Sequence, residues 1–254
     1  MKFKIEGITN IGNYRKSNQD FIGFLDKKNG SSISVVCDGM GGHAHGEIAS
    51  KMAVELLLKN FHEVDLSNFT DSEINVWLRN SIKQILKEMK EYSNINIETK
   101  DMGTTLTAIL FVNKKAFVVN VGDSRTYKIS KNKISQVTKD QNLWNDTKNK
   151  EEKKKEIKKF LGAKFNELTY WKVLTSALGP NKNLKIDTYL IKEPIGTYVL
   201  TTDGVHDYID EVTLKEMVLE KSRLKTKAKE IVSYALKNLS TDNLSLLIVE
   251  ASGD

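Results

Sequence analysis

Short apolar runs separated by turns occur at both ends and in the middle of the chain, and they predict β-strands. Runs of roughly 4–8 residues rich in Val, Ile, Phe and Tyr are typical of strands in a packed sheet. The predicted strands are 3–9, 21–25, 33–37, 104–112, 116–121, 126–129, 133–137, 184–192, 197–201 and 244–250. The four strands between 104 and 137 are separated by tight turns, which is typical of an antiparallel meander.

Between these strands the apolar spacing changes to that of amphipathic helices. Residues 45–61 and a segment capped by Asp71 or Ser72 form one predicted pair, and 213–219 and 225–239 form another. Residues 140–172 are polar, lysine-rich and expected to be helical in part. Consecutive helix pairs do not match the strand–helix alternation of a parallel sheet. The order predicts an α+β fold, with a central antiparallel β-sandwich whose outer faces are covered by helix pairs.

Composition indicates a globular chain without a membrane segment. Its 254 residues are 39% hydrophobic and 28% charged, and no proline- or glycine-rich linker divides them, so we expect a single domain, 1–254. No apolar run approaches the roughly 18 residues that span a bilayer, and the N-terminus lacks the apolar core of a signal peptide. The single cysteine, Cys37, excludes an internal disulfide and favours the cytoplasm. Because Cys37 follows a buried strand, we interpret it as a core residue.

The net charge of +6 is unevenly distributed. Residues 148–159 hold seven lysines and three glutamates, so this run carries +4 and the rest of the chain only +2. The favoured interpretation is a solvated helix, and the alternative is a patch that attracts acidic or phosphorylated partners. No aromatic residues interleave with the lysines to stack on bases, so nucleic-acid binding is not expected.

Four aspartates lie where strand-like runs begin or end: Asp38, Asp123, Asp203 and Asp242. A carboxylate at the end of a buried strand is costly to desolvate unless it is paired, and no Lys or Arg lies next to these four in sequence. Mg²⁺ and Mn²⁺ prefer such oxygen ligands. The set therefore predicts a shared cation site, although the last three taken singly also fit simple turns.

The string 38–44, Asp-Gly-Met-Gly-Gly-His-Ala, is the sharpest local motif. Its glycines allow a backbone to approach a ligand closely, and Asp38 and the Gly39 carbonyl can both ligate a cation. Gly39, Gly41 and Ala44 also fit a relaxed dinucleotide-binding fingerprint. The charge of Asp38 and the helix that follows the first helix argue against that alternative. A metal or phosphate site is favoured, with the dinucleotide site and a structural turn left open.

One arginine, two histidines and the absence of several motifs limit the kinds of reaction that the site can support. Arg15 can bind a phosphate with two hydrogen bonds, although alone it also fits a surface loop. His43 and His206 each follow an Asp-Gly pair, and a histidine there can be a ligand, a proton donor or a bystander. The chain lacks the motifs of serine hydrolases, zinc modules, zincins and P-loop enzymes.

Seven motifs occur in order along nearly the whole chain. They are Arg15 with Asn18-Gln19-Asp20, 36–43, 102–105, 121–125, 174–179, 202–204 and Asp242-Asn243. Together they resemble the PPM-type (type 2C) metal-dependent serine/threonine protein phosphatases, particularly the bacterial single-domain form. The resemblance implies a four-layer αββα sandwich and a variable flap at about 141–173.

The resemblance also implies roles for individual residues. Asp38 would bridge two Mn²⁺ or Mg²⁺ ions, the Gly39 carbonyl would bind one, and Asp203 and Asp242 would hold the other. Asp123 matches a third, weaker metal position, and Asp20 would act through water. Arg15 matches the phosphate-binding arginine, and His43 the proposed proton donor.

The implied activity is hydrolysis of phosphoserine and phosphothreonine in proteins by a water molecule activated between two ions. The partners would be phosphorylated proteins and an opposing Ser/Thr kinase in bacterial signalling, and a monomer is expected. Gln19, Gln141 and His206 replace a frequent Glu, His and Thr, and a His-Pro element is missing before Leu174. A catalytically silent binding module and a dinucleotide-dependent enzyme are the alternatives.

Overall fold

The structure is a computed structural model that describes residues 1–40, 45–147 and 172–253, together with Glu152, Lys155 and Lys159. In chain order its elements are β1 (Lys2–Asn10), β2 (Asp20–Asp26), β3 (Ser32–Met40), α1 (Gly46–Glu63), α2 (Asp71–Ile95), a 3₁₀ turn (Ile97–Thr99), β4 (Gly103–Thr104), β5 (Leu106–Val112), β6 (Lys115–Val121), β7 (Arg125–Ser130), β8 (Lys133–Gln136), α3 (Leu143–Thr147), β9 (Asp187–Ile191), β10 (Gly196–Thr201), α4 (Asp203–His206), α5 (Glu211–Leu219), α6 (Leu224–Lys237) and β11 (Leu244–Ser252).

Two antiparallel sheets pack face to face. One has the strand order β1-β11-β10-β7-β8, and the other has β2-β3-β5-β6-β9, with the short β4 paired to β3. The helices α1 and α2 cover one outer face, and α4, α5 and α6 cover the other. This confirms the predicted four-layer αββα sandwich. In the described residues the strand pairs are antiparallel, which excludes the βαβ unit of the dinucleotide alternative.

Strand residues alternate between two apolar layers because successive side chains point to opposite faces of a sheet. In β3, Val35 and Cys37 pack against α1 and α2, whereas Val36 packs between the sheets. In β10, Tyr198 and Leu200 enter the layer between the sheets, where Tyr198 meets Phe111 edge to face at 5.3 Å. Cys37 is fully buried, as expected for a core residue.

The second helix shows how local sequence sets an element boundary. Thr70 caps α2, because its hydroxyl accepts from the Glu73 N–H at 3.3 Å and the Glu73 carboxylate accepts from the Thr70 N–H at 2.7 Å. The predicted cap at Asp71 or Ser72 was therefore one or two residues late. The helical spacing was right: Ile74, Leu78, Ile82, Ile85 and Met89 are all fully buried.

The predicted meander between residues 104 and 137 is wrong. The hairpins β5–β6 and β7–β8 exist, but β6 and β7 belong to different sheets. The connection Gly122–Ser124 therefore crosses from one sheet to the other and is not a hairpin turn. Thr105 also divides the predicted strand 104–112 into β4 and β5, and its N–H donates to the Asp38 carbonyl at 2.8 Å.

Candidate functional site

A cleft of about 270 Å³ lies at one edge of the sandwich. It brings together six of the residues singled out in the sequence: Arg15, Asp38, Gly39, Asp123, Asp203 and Asp242. Asp38 lies near the end of β3, Asp123 follows β6, Asp203 follows β10, and Asp242 precedes β11. Both sheets thus contribute carboxylates, although as much as 204 residues of sequence separates them (Asp38 to Asp242).

Asp20 lies beside Asp38 but does not line the cleft. The two residues are opposite each other in the antiparallel pair β2–β3. Asp20 is only 4% exposed, and its Oδ2 accepts a hydrogen bond from the Thr202 hydroxyl at 2.9 Å. Burial raises the pKa of Asp20 to about 7, against the opposing effect of hydroxyl groups from Ser245 and Thr202.

The cleft carboxylates are held in surroundings that disfavour their charge. Burial, followed by the repulsion of neighbouring aspartates, raises the pKa values of Asp38 and Asp123 well above the ordinary range. Burial and the charges of Asp242 and Asp207 raise the pKa of Asp203 to about 6. The Oδ1 of Asp203 is buried and has no hydrogen-bond partner among the described residues. A cation placed among these groups would relieve both the repulsion and the lost hydration.

Arg15 supplies a positive charge that its position in the sequence did not indicate. Its Nη2 donates to Asp242 Oδ2 at 2.6 Å, and the side chain remains 52% exposed. Folding brings the loop between β1 and β2 onto the start of β11, so Asp242 has a basic partner that is distant from it in sequence.

Asn243 holds that loop in place. Its side-chain Nδ2 donates to the carbonyls of Ile11 and Ser17 at 2.9 and 3.0 Å, and its Oδ1 accepts from the Gln19 N–H at 2.9 Å. These three bonds span the segment that carries Arg15. Asn243 therefore has a larger structural role than the simple turn that the Asp242-Asn243 pair suggests alone.

The glycines after Asp38 and Asp203 are required by the protein's own backbone. A Cβ on Gly39 would lie 2.2 Å from the carbonyl oxygen of Gly46, at the start of α1. A Cβ on Gly204 would lie 1.9 Å from the carbonyl oxygen of Asn243. Real Cβ atoms do not approach so closely, so each glycine lets a neighbouring segment pack beside a cleft aspartate.

Side chains hold the connection that carries Asp123 at both of its ends. The Arg125 guanidinium donates two hydrogen bonds to the Asp140 carboxylate, from Nε to Oδ1 at 3.0 Å and from Nη2 to Oδ2 at 2.6 Å. Gln141 accepts from the Gly122 N–H at 2.8 Å and donates to Asp187 at 2.9 Å. Gln141, which replaces a frequent histidine of the resembled family, thus positions the backbone next to Asp123.

The structure describes only one of the two histidines that were singled out in the sequence. His43 lies outside the described residues, as do Gly41, Gly42 and most of the predicted flap. His206 is buried, does not line the cleft, and pairs its Nδ1 with the Thr201 hydroxyl at 2.9 Å. Burial lowers the pKa of His206 well below its ordinary value.

Sequence reasoning missed two charged residues of the site, Lys172 and Asp207. Lys172 lines the cleft, and its Nζ lies 3.0 Å from Asp207 Oδ2. No local motif marks either residue, because the pair joins a segment before β9 to the end of α4.

The donor set has the chemistry of a site for a hard divalent cation, since it consists of carboxylates and includes a buried oxygen without a partner. Among the described residues, however, no three Asp, Glu, His or Cys side chains are already close enough to hold an ion. A cation shared by these carboxylates would therefore require some of them to reorient, and a cation bound to Asp242 would compete with Arg15 for its Oδ2.

Comparisons with known proteins show which family the chain is similar to. The family model described as Protein phosphatase 2C matches residues 14–244. The chain is 32% identical to the Serine/threonine phosphatase stp of Listeria monocytogenes over 243 residues, 95% of this chain and 93% of that protein. It is 26% identical to the Protein phosphatase PhpP of Streptococcus pneumoniae, over 97% of this chain and 96% of that protein.

Solved structures of similar proteins have the same fold as this chain. The crystal structure of Serine/threonine phosphatase Stp1 from Staphylococcus aureus superimposes with a TM-score of 0.83 at 28% identity, over 100% of this chain and 96% of that one. A crystal structure described as a bacterial serine phosphatase also gives 0.83, at 27% identity, over 100% and 99% of the two chains. In the described part of the chain, no helix is both long and apolar enough to cross a bilayer.

Proposed function

Because the chain belongs to the protein phosphatase 2C family of serine/threonine phosphatases, we propose that it hydrolyses phosphoserine and phosphothreonine in proteins with the help of two Mn²⁺ or Mg²⁺ ions. The whole chain, 1–254, forms one catalytic domain in this proposal, with a variable flap at about 141–173. The observation that carries the proposal is the convergence of four strand-end aspartates and Arg15 on one cleft.

Each cleft residue would have a metal-binding role that depends on its position. Asp38 and the Gly39 carbonyl would hold one ion, and Asp38, Asp203 and Asp242 the other. Asp123 would contribute to a third, weaker site, and Asp20 would act through water. Bound ions would lower the pKa of a water molecule and screen the charge of the phosphate.

Arg15 would bind the substrate phosphate. Its guanidinium is half-exposed, lies in the cleft, and already binds a carboxylate oxygen at 2.6 Å. A phosphate offers the same kind of oxygen acceptor with more negative charge, and it gains charge on its equatorial oxygens during in-line displacement. Asn243 fixes the loop on which Arg15 sits, so the guanidinium reaches the substrate from a constrained backbone. His43 would donate a proton to the leaving oxygen.

The setting of this activity follows from the family. We expect phosphorylated proteins as substrates, an opposing Ser/Thr kinase as functional partner, and a cytoplasmic monomer that acts in signalling. Sedimentation of the purified chain tests the monomer, and the phosphorylation state of a co-expressed kinase tests the partnership.

The direct test is hydrolysis of a phosphothreonine peptide with and without Mn²⁺. Activity should require the metal and should fall at least about a hundredfold in Asp38→Asn and Asp203→Asn. Asp65→Asn is the matched control, because Asp65 lies in an exposed turn and contacts Ser67 and Asn29. Full activity in either cleft variant contradicts the proposal. Absence of Mn²⁺ binding in calorimetry would instead favour a catalytically silent binding module.

A further inference from the structure

Two cationic side chains line the cleft among the residues that the structure describes, Arg15 and Lys172. They come from different parts of the fold: Arg15 from the loop after β1, and Lys172 from the segment that leads to β9. Four carboxylates line the same cleft, and the bound ions of the proposed function would offset their charge. A side-chain cation beside such a centre adds to its attraction for an anionic substrate.

Lys172, which lines the cleft, forms an ion pair with a buried acid. Its side chain is 44% exposed, whereas that of Asp207, 3.0 Å from its Nζ, is only 7% exposed. The Asp207 N–H donates to the Asp203 carbonyl at 3.0 Å, so Asp207 directly follows the short helix that begins with a cleft aspartate. A charge anchored in this way loses less side-chain freedom on binding a ligand than a lysine in open solvent.

The backbone beside Lys172 is anchored as well. The Val173 carbonyl accepts from the Leu143 N–H at 2.9 Å, and the Thr175 N–H donates to the Gln141 carbonyl at 2.9 Å. Leu174 forms an isolated β-bridge with Asn142. This segment is therefore fixed next to the connection that carries Asp123, and the position of Lys172 follows from the fold.

We propose that Lys172 is a second phosphate-binding residue that sets affinity for phosphate monoester dianions, an inference that rests on the proposed function. An ammonium carries three donors, so its pairing with Asp207 is compatible with a bond to a phosphate oxygen. Arg15 provides the planar, two-pronged contact, and Lys172 provides a compact charge from another side of the chain.

The test compares Lys172→Met, Lys172→Arg and the wild-type protein, all in saturating Mn²⁺. Lys185→Met is the matched control, because Lys185 also forms a surface ion pair, with Asp187 at 3.2 Å, but does not line the cleft. Two quantities are measured: KM and kcat for a phosphothreonine peptide, and the calorimetric Kd of inorganic phosphate. The calorimetric Kd needs no turnover and reports phosphate binding directly.

For Lys172→Met we expect KM and the phosphate Kd each to rise about fivefold, the upper end of the range for an exposed ion pair, while kcat changes less than twofold. Lys172→Arg should stay within about twofold of the wild type, and Lys185→Met should be unchanged. If Lys172→Met does not fold, Lys172→Gln takes its place.

Unchanged phosphate affinity, or a loss confined to kcat, overturns the assignment of Lys172. These outcomes are distinct from failure of the proposed function, which would show as a wild-type protein without phosphatase activity. Even then the calorimetric titration decides whether Lys172 binds phosphate.

Discussion

Replacing Arg15 should strengthen metal binding while it weakens substrate binding. The guanidinium bonds to Asp242 Oδ2 at 2.6 Å, and Asp242 is also an expected metal ligand. An arriving ion must therefore break or share this contact. In Arg15→Met the competitor is gone, and the carboxylate is available at no cost. The same change removes the main phosphate contact in our proposal, so KM for a phosphopeptide should rise.

The size of the effect follows from the exposure of the pair. With 52% and 29% of the two side chains exposed, the contact contributes about 0.5–1 kcal/mol. This free energy corresponds to Mn²⁺ binding that is about two- to fivefold tighter in Arg15→Met, measured by calorimetry. Arg79→Met is the control, because Arg79 bonds to Ile186 and Thr188, away from the cleft.

Measuring Mn²⁺ affinity at high salt distinguishes two causes of tighter binding: removal of a competitor at one carboxylate, and a general loss of positive charge. A general effect would largely disappear at about 0.5 M salt, where exposed charges are screened within a few ångströms. Competition for a single oxygen should persist. Mn²⁺ affinity that is unchanged or weaker in Arg15→Met would refute the reasoning.

Three further changes test the packing around the cleft by urea unfolding of the metal-free protein. Asp203→Asn should stabilise it by up to about 3 kcal/mol at pH 7, because burial raises the pKa of Asp203 from 3.8 to about 6. The wild type should accordingly lose stability as the pH rises from about 4 to 6, and a variant with the same slope would contradict this. Gly204→Ala should cost at least about 1–3 kcal/mol, since its Cβ would lie 1.9 Å from the Asn243 carbonyl oxygen, whereas Gly253→Ala meets nothing within 4 Å and should be neutral. Thr202→Val should cost about 1–2 kcal/mol, because it removes the 2.9 Å hydrogen bond to buried Asp20 and the acceptor of the Ser245 N–H at 3.0 Å, and unchanged stability would contradict this.

The layers of the fold were predictable because they depend on local periodicity. Short apolar runs placed the strands, and the spacing of Ile74, Leu78 and Ile82 placed α2. The order of elements then excluded a parallel sheet. The local pattern does not indicate which of the two sheets each strand joins. The segment Gly122–Ser124 resembles a hairpin turn in sequence, and only the pairing of β6 and β7 in different sheets shows that it crosses between them.

The site was predictable where one residue type carries the chemistry and not where partners meet over long distances. Strand-end aspartates are visible in sequence because a charge beside a buried run is costly. Lys172 and Asp207 are 35 residues apart and belong to no motif, and Arg15 and Asp242 are 227 residues apart. Such pairs depend on the closed sandwich, so a single sequence cannot reveal them.

The two Asp-Gly pairs show how packing of the chain itself positions the cleft aspartates. Gly39 admits the start of α1 and Gly204 admits the backbone of Asn243, so each aspartate is positioned by close packing of the chain. Arg15 and Lys172 then pair with Asp242 and Asp207, while burial keeps the pKa values of Asp38 and Asp123 well above the ordinary range. The centre of the cleft thus disfavours negative charge, whereas Asp242 and Asp207 are paired. In our proposals a divalent cation at the centre would relieve this cost, and Arg15 and Lys172 would be the contacts available to an incoming phosphate.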